Sequence, residues 1–219
     1  MKKLIIIGGD GHGTVISSCI KDNELFYGKK EWNIIGFIND YEEIIDSYPV
    51  VGGTQDIDKF VNQEDCYFAW GIHLIGRNPL TKQVFDRMNI PLERLVTIIH
   101  HSAFIAENVK LHPGVLVMAH SYIGARTELG VGTMVKANTC IGHDVKSGPL
   151  CHFAMGSITG SYTSLGLCAD IAIGATTLEY IKIGDYAMAG ARSLVTHNIP
   201  DREIHIGTPA CYFRNIKED

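Results

Sequence analysis

His143 and His152 stand nine residues apart, and an acid, Asp144, directly follows the first. An unperturbed imidazole titrates near pH 6.5, so a histidine beside a carboxylate is suited to taking a proton from a nucleophile near neutrality. Residue types alone leave His143 open between a base and a solvated histidine, and His152 between a ligand contact and a polar surface position. A second group lies near the N-terminus, where Gly8-Gly9-Asp10-Gly11-His12-Gly13 follows the apolar run Leu4-Ile5-Ile6-Ile7. A glycine turn that opens a helix favours an anion at the helix N-terminus. It is not the dinucleotide fingerprint, because G-x-G-x-x-G counted from Gly9 needs a small residue where Thr14 stands. Asn39-Asp40 and Gly71 end two further candidate strands, the place where open α/β sheets bind ligands.

Composition removes several classes of function. With 219 residues, 46% hydrophobic and 20% charged, the chain can bury a core and is not disordered. Its net charge of −5 gives no basic footprint for nucleic acid or an anionic membrane. The six cysteines, Cys19, Cys66, Cys140, Cys151, Cys168 and Cys211, show no clustered spacing, so neither a zinc site nor a disulfide framework is expected. Met1-Lys2-Lys3 precedes only four strongly apolar residues, and no apolar run approaches about 18, so a soluble, cytoplasmic protein without membrane insertion is expected.

Two kinds of element must position these groups. Residues 1–97 read as a small open α/β, Rossmann-like sheet with parallel strands. Its strands are Leu4 to Ile7, Ile34 to Ile38, Cys66 to Trp70 and Leu95 to Ile99. The first helix runs to about Asn23, and Thr54 to Val61 and Pro79 to Met88 read as helices with Thr54 and Asn78 as N-caps.

Residues 98–219 carry another period. Stepping by six from Ile105 to Val195 gives sixteen positions, of which thirteen are apolar, and the position after each is Gly or Ala in eleven. A six-residue period fits short strands joined by tight corners, three to a turn, with one aliphatic residue per flat face pointing inward. About five coils fit between residues 103 and 197, whereas a β-sandwich would show turns every 8–12 residues.

The repeat, Ile141-Gly142-His143-Asp144 with His152 and Ala154-Met155-Gly156, and the N-terminal motifs Gly11-His12-Gly13, Gly36-Phe37-Ile38-Asn39-Asp40 and Pro49-Val50-Val51-Gly52-Gly53 together resemble the hexapeptide-repeat sugar O- and N-acyltransferases of the sialic-acid O-acetyltransferase type. Within that group the chain is similar to the N-acetyltransferases of nucleotide-linked 4-amino-sugars, including the bacillosamine-pathway enzyme. The resemblance extends to the Gly207-Thr208-Pro209-Ala210 ending.

This resemblance implies a left-handed parallel β-helix; the handedness does not come from the spacing. It makes His143 the general base for an amine attacking a thioester, with Asp144 beside it, and no acyl-enzyme. Adjacent residues on an extended rung point to opposite sides, so Asp144 can orient His143 only if the chain turns there. His152 is placed near the acyl and amine groups. Gly160, Ser161, Gly190 and Ala191 are placed along acyl-CoA, where small residues let pantetheine approach the backbone. Gly11, His12, Gly13, Asn39, Asp40 and Gly71 are placed around the nucleotide-sugar. The chain departs from the family at Gly142, where an acid is usual, and at Lys136, where an Asn is usual.

The expected activity is acetyl-CoA-dependent N-acetylation of a nucleotide-linked 4-amino-4,6-dideoxy sugar by a homotrimer. Acetyl-CoA serves as co-substrate, with no tightly bound cofactor and no metal. Sugar or sialic-acid O-acetylation uses the same base, and a non-catalytic nucleotide-sugar-binding scaffold uses the same fold. A γ-class carbonic anhydrase commonly has two ligand histidines five residues apart, and no such pair occurs here.

Overall fold

The computed structural model describes residues 1–28 and 30–217. The N-terminal elements are β1 (Lys2–Ile7), α1 (His12–Tyr27), β2 (Trp32–Ile38), β3 (Ile44–Ile45), β4 (Tyr48–Gly52), α2 (Asp58–Val61), β5 (Cys66–Trp70) and α3 (Asn78–Met88). The sheet order is β3-β4-β2-β1-β5, so the all-apolar β1 is central and Leu4 through Ile7 are completely buried. A strand covered on both faces has to be apolar throughout, which is why this run lacks alternation.

Several local expectations need correction. The sheet is not wholly parallel: β3 pairs antiparallel with β4 across Asp46-Ser47, both at positive φ, a two-residue turn matched to strand twist. β4 is an unexpected strand. α1 continues past Asn23 to Tyr27 and stops at Gly28, which adopts the left-handed conformation. Neither Thr54 nor Asn78 is an N-cap. Thr54 opens a separate 3₁₀ turn, Thr54–Asp56, closed by the Asp56 carboxylate on the Gly53 amide. Asn78 lies inside α3, where Nδ2 donates to the Cys168 carbonyl. The Leu95–Ile99 strand divides: Leu95 makes one bridge to Phe68 of β5, while Ile98–Ile99 pairs with Leu116–Val117 of the repeat.

From there the chain is a left-handed parallel β-helix of two-residue rungs, each paired in parallel with the rung one coil later. The residues at the six-step positions point inward as expected, and Val117, Ile123, Leu129, Val135, Ile141, Phe153 and Ile183 are among those fully buried. A second inward position, two residues before each, was not read from the sequence. It mixes small residues such as Thr127, Thr139, Ser157, Ala169 and Ala187 with Val115, Val145 and Ile181, so it carries no even aliphatic signature. Several satisfy themselves on corner carbonyls, as Thr127 Oγ1 does on Gly142 and Thr139 Oγ1 on Lys136. Corners stack as closely as rungs: a Cβ on Gly124 would sit 2.5 Å from the His143 nitrogen.

The outward residues give each face its character. One face exposes Lys110, Glu128, Lys146, Ser164 and Lys182. A second exposes Phe104, Tyr122, Cys140 and Ile158 and continues through Thr176 and Leu194. The third carries Leu116, Met134, His152 and Asp170, all nearly inaccessible because the α/β unit covers them. Leu116, Met118, Met134, Leu150 and Cys168 share one apolar cluster with Trp70, Met88 and Leu95, so this cluster joins both halves beside the separate core inside the coil.

Candidate active site

His143 and Asp144 occupy the corner between the apolar-exposed and charged faces. Asp144 has φ +57, a left-handed turn residue, so the chain turns there and the two side chains converge. His143 Nδ1 lies 2.6 Å from Asp144 Oδ2, and Arg126, one coil earlier, grips the same carboxylate through Nε at 2.9 Å and a terminal nitrogen at 2.6 Å. The Arg126 guanidinium, then His143, holds Asp144 down to about 2. With Nδ1–H donated to Asp144, the second ring nitrogen is left to accept a proton. The ring lies edge-on to Tyr162, which stacks on Tyr180. Gly160-Ser161 sits directly above on the same corner, since a Cβ on Gly142 would meet Ser161.

The N-terminal group forms a different cavity, of about 260 Å³, at the strand ends. Gly9, Gly11, His12, Asn39, Asp40, Gly71 and His73 all line it. Gly8 and Gly71 allow this opening to form: Gly8 has φ +145, and a Cβ there would lie 2.5 Å from the Gly71 carbonyl. Gly13 packs beneath the cavity against Phe37 and Gly8. Asn39 and Asp40 are already engaged locally. Asn39 Oδ1 accepts from the Tyr41 and Glu42 amides, and Asp40 accepts from the Thr54 amide at 2.6 Å and hydroxyl at 2.9 Å. A carboxylate offers about four acceptor positions, so Asp40 keeps capacity for a ligand.

His152 is not on the surface. It belongs to a buried cluster where the two halves meet: Asp170 accepts from His152 Nδ1 at 3.0 Å and from His73 Nε2 at 3.1 Å, and the two rings stack at 4.3 Å. His12, from the first turn of α1, stands 5.5 Å from the His152 ring, and Lys136 Nζ lies 2.8 Å from His12 Nδ1. Burial alone would raise Asp170, but His152 and then His73 keep it ionised well below the usual range. Burial, then Lys136, pushes His12 down to about 3, and burial, then His73, lowers His152. His152 thus donates Nδ1–H to Asp170, and its buried Nε2 has no partner among the described residues. This cluster opens on a cavity of about 340 Å³ lined by Ile75, Ala154, Met155, Ala172, Ile173, Met188 and Ala191.

The expected acyl-CoA residues therefore fall into two groups. Gly160 and Ser161 share the His143 corner, whereas His152 and Ala191 line the second cavity with Gly190 beside it, across the exposed apolar face. One chain does not bring them together. Asp170, His73, Lys136 and Arg126 were absent from the expected contacts. Two could have been found: Asp170 and Arg126 stand 18 residues, one coil, from His152 and Asp144. Among the described residues, His73-His152-Asp170 and Asp22-His100-His101 have ligand atoms close enough for a metal ion. In both, the carboxylate already faces two imidazoles at hydrogen-bond distance. A larger cavity, about 660 Å³ between the end of α1 and Trp32, contains none of the expected site residues.

An α/β unit with a cavity at its strand ends, seated on a hexapeptide-repeat β-helix, is the build of the nucleotide-amino-sugar N-acetyltransferases that the sequence resembles. Residues 3–88 match the PglD N-terminal domain family. The whole structure is similar to GDP-perosamine N-acetyltransferase from Caulobacter crescentus, solved with CoA and GDP-perosamine, at 25% identity and TM-score 0.84 over 98% of both chains. It also shares the fold of the acetyltransferase domain of PglB from Neisseria gonorrhoeae, solved with acetyl coenzyme A, at 23% identity and TM-score 0.82 over 97% of this chain and 99% of that one. WeeI from Acinetobacter baumannii AYE has the same fold at 16% identity and TM-score 0.80, over 97% and 100% of the two chains.

Proposed function

We propose that the chain transfers the acetyl group of acetyl-CoA to the amino group of a nucleotide-linked 4-amino-4,6-dideoxy sugar. The observation that carries this reading is the His143–Asp144–Arg126 corner on a chain similar throughout to a GDP-perosamine N-acetyltransferase. The amine nitrogen attacks the thioester carbonyl, the C–S bond breaks, and the amine proton passes to the free nitrogen of His143 and on to the departing thiolate. Asp144 stabilises the imidazolium that forms in between.

The test is CoA release with GDP-, UDP- and dTDP-linked 4-amino-4,6-dideoxy sugars, followed by product treatment with hydroxylamine. An amide survives that treatment and an ester does not, which separates N- from O-acetylation. Failure of every acceptor to release CoA, with nucleotide binding intact, returns the scaffold reading.

The site is completed in a homotrimer. The apolar face carrying Phe104, Tyr122 and Ile158, each between 44% and 58% exposed, lies between the His143 corner and the His152 cavity. A second copy covering this face puts one copy's corner against the other's cavity, with acyl-CoA between them. Ile158→Asp is expected to give monomers in sedimentation and to lose at least about tenfold in turnover, because it buries an unpaired charge at the contact. An active monomer would remove the shared site.

In the nucleotide cavity, Asp40→Ala is expected to raise KM for the sugar nucleotide about ten- to a hundredfold, the worth of a charge-assisted hydrogen bond. KM for acetyl-CoA should stay within about a factor of two, since the acyl cavity lies elsewhere. Equal weakening of both would mean that Asp40 acts only through Thr54.

A further inference from the structure

We propose that Lys136 is a specificity-determining residue that binds an oxyanion of the acceptor substrate where the nucleotide and acyl cavities meet. The inference rests on the nucleotide-sugar reading above for its choice of probes. Lys136 occupies a corner position that is Met118 one coil earlier and Ala154, Ala172 and Gly190 in the coils after it. In that apolar column it is the charged residue, and it lines the same cavity as Ala154 and Ala172.

Its ammonium pairs with no anion among the described residues. Nζ donates to His12 Nδ1 at 2.8 Å, and His12 is neutral. The nearby carboxylate, Asp170, accepts from His73 and His152, and no carboxylate among the described residues ion-pairs with Lys136. A half-buried cation without a counter-ion is costly. Burial has already pushed the Lys136 ammonium down to about 8. The unpartnered Nε2 of His152, in the wall of the same cavity, is a second polar atom left for a ligand.

Position narrows the ligand chemistry. His12 lines both cavities, so Lys136 stands one hydrogen bond from the nucleotide cavity and from the Gly8–Gly11 turn at the start of α1. A helix N-terminus and a lysine together suit phosphate or carboxylate. Two groups could supply it: the diphosphate leaving the nucleotide cavity or, on a uronic-acid acceptor in place of the 6-deoxy sugar proposed above, the sugar carboxylate.

Binding by titration calorimetry tests this without turnover, using uridine, guanosine and thymidine with their mono- and diphosphates, inorganic pyrophosphate, and UDP-glucuronate against UDP-glucose. Lys136→Met should keep its thermal midpoint, because an apolar chain of similar length replaces an unpaired cation. If the diphosphate is the source, Lys136→Met weakens diphosphate binding about ten- to a hundredfold with nucleosides unchanged, and Lys136→Arg retains most of it. Wild-type affinity for the diphosphate then falls as pH rises from 7 to about 9, where Lys136 loses its proton, and the Met variant stays flat. If the carboxylate is the source, diphosphates bind both proteins alike and only the preference for UDP-glucuronate is lost. Equal binding of every probe by wild type and Lys136→Met overturns the proposal. Absence of nucleotide binding in the wild type would instead sink the nucleotide-sugar reading, and the pyrophosphate arm would still decide about Lys136.

Discussion

His143→Ala is expected to lower kcat by about a hundredfold or more, the range general-base assistance typically supplies, with KM for both substrates nearly unchanged. The imidazole touches reacting atoms only as the proton leaves the amine, so its loss acts on the transition state. The fold should survive, because the side chain is 44% exposed and Asp144 keeps its two bonds to Arg126. Measurement of kcat with a real amino-sugar acceptor, alongside a melting curve, checks both halves. Retention of most activity would move the base elsewhere, with His152 first in line. A mixing experiment adds a geometric readout: His143→Ala copies combined with His12→Ala copies should regain about a quarter of wild-type turnover if each site takes its corner from one subunit and its cavity from the next. No recovery would remove the shared site.

Asp170→Ala is expected to destabilise by about 3 kcal/mol, because it leaves two buried imidazole N–H donors without the acceptor they share. For a chain of this size that corresponds to a drop of about 6–12 °C in Tm. Turnover should fall as well, since His152 and His73 lose the acceptor that orients both rings. The pH dependence has a definite sign. Asp170 is held below its unfolded pKa near 3.9, so its contribution is present above that value and fades as pH falls below it. The Tm gap between wild type and variant should therefore be widest near neutrality and narrow below about pH 4. An unchanged Tm at pH 7 would mean that the two histidines need no anion.

Much of this protein is written in its sequence. The six-residue period dictates the coil, because a rung that buries one aliphatic side chain must be followed by a corner where the next coil leaves no room for a Cβ, as at Gly124 and Gly130. Three periods make one coil, so the period also specifies vertical neighbours: Asp144 over Arg126, Asp170 over His152, Tyr180 over Tyr162. The apolar run of β1 and the glycines after it likewise specify a buried parallel strand that opens on a ligand cavity. Local hydrogen bonds decided what propensity did not, such as Asp40 holding Thr54 and Asp46-Ser47 turning an extra strand into the sheet. Only the tertiary structure determined that His12 and His73, 140 and 79 residues before His152, would close over Asp170 and Lys136. The reason is physical: a repeat fixes spacings within its own stack, but it is silent about loops from a separate sheet. Those loops reach the stack because Trp70, Met88 and Leu95 bury apolar surface against Leu116, Met134 and Leu150, and that burial, not any spacing, brings the imidazoles to the carboxylate.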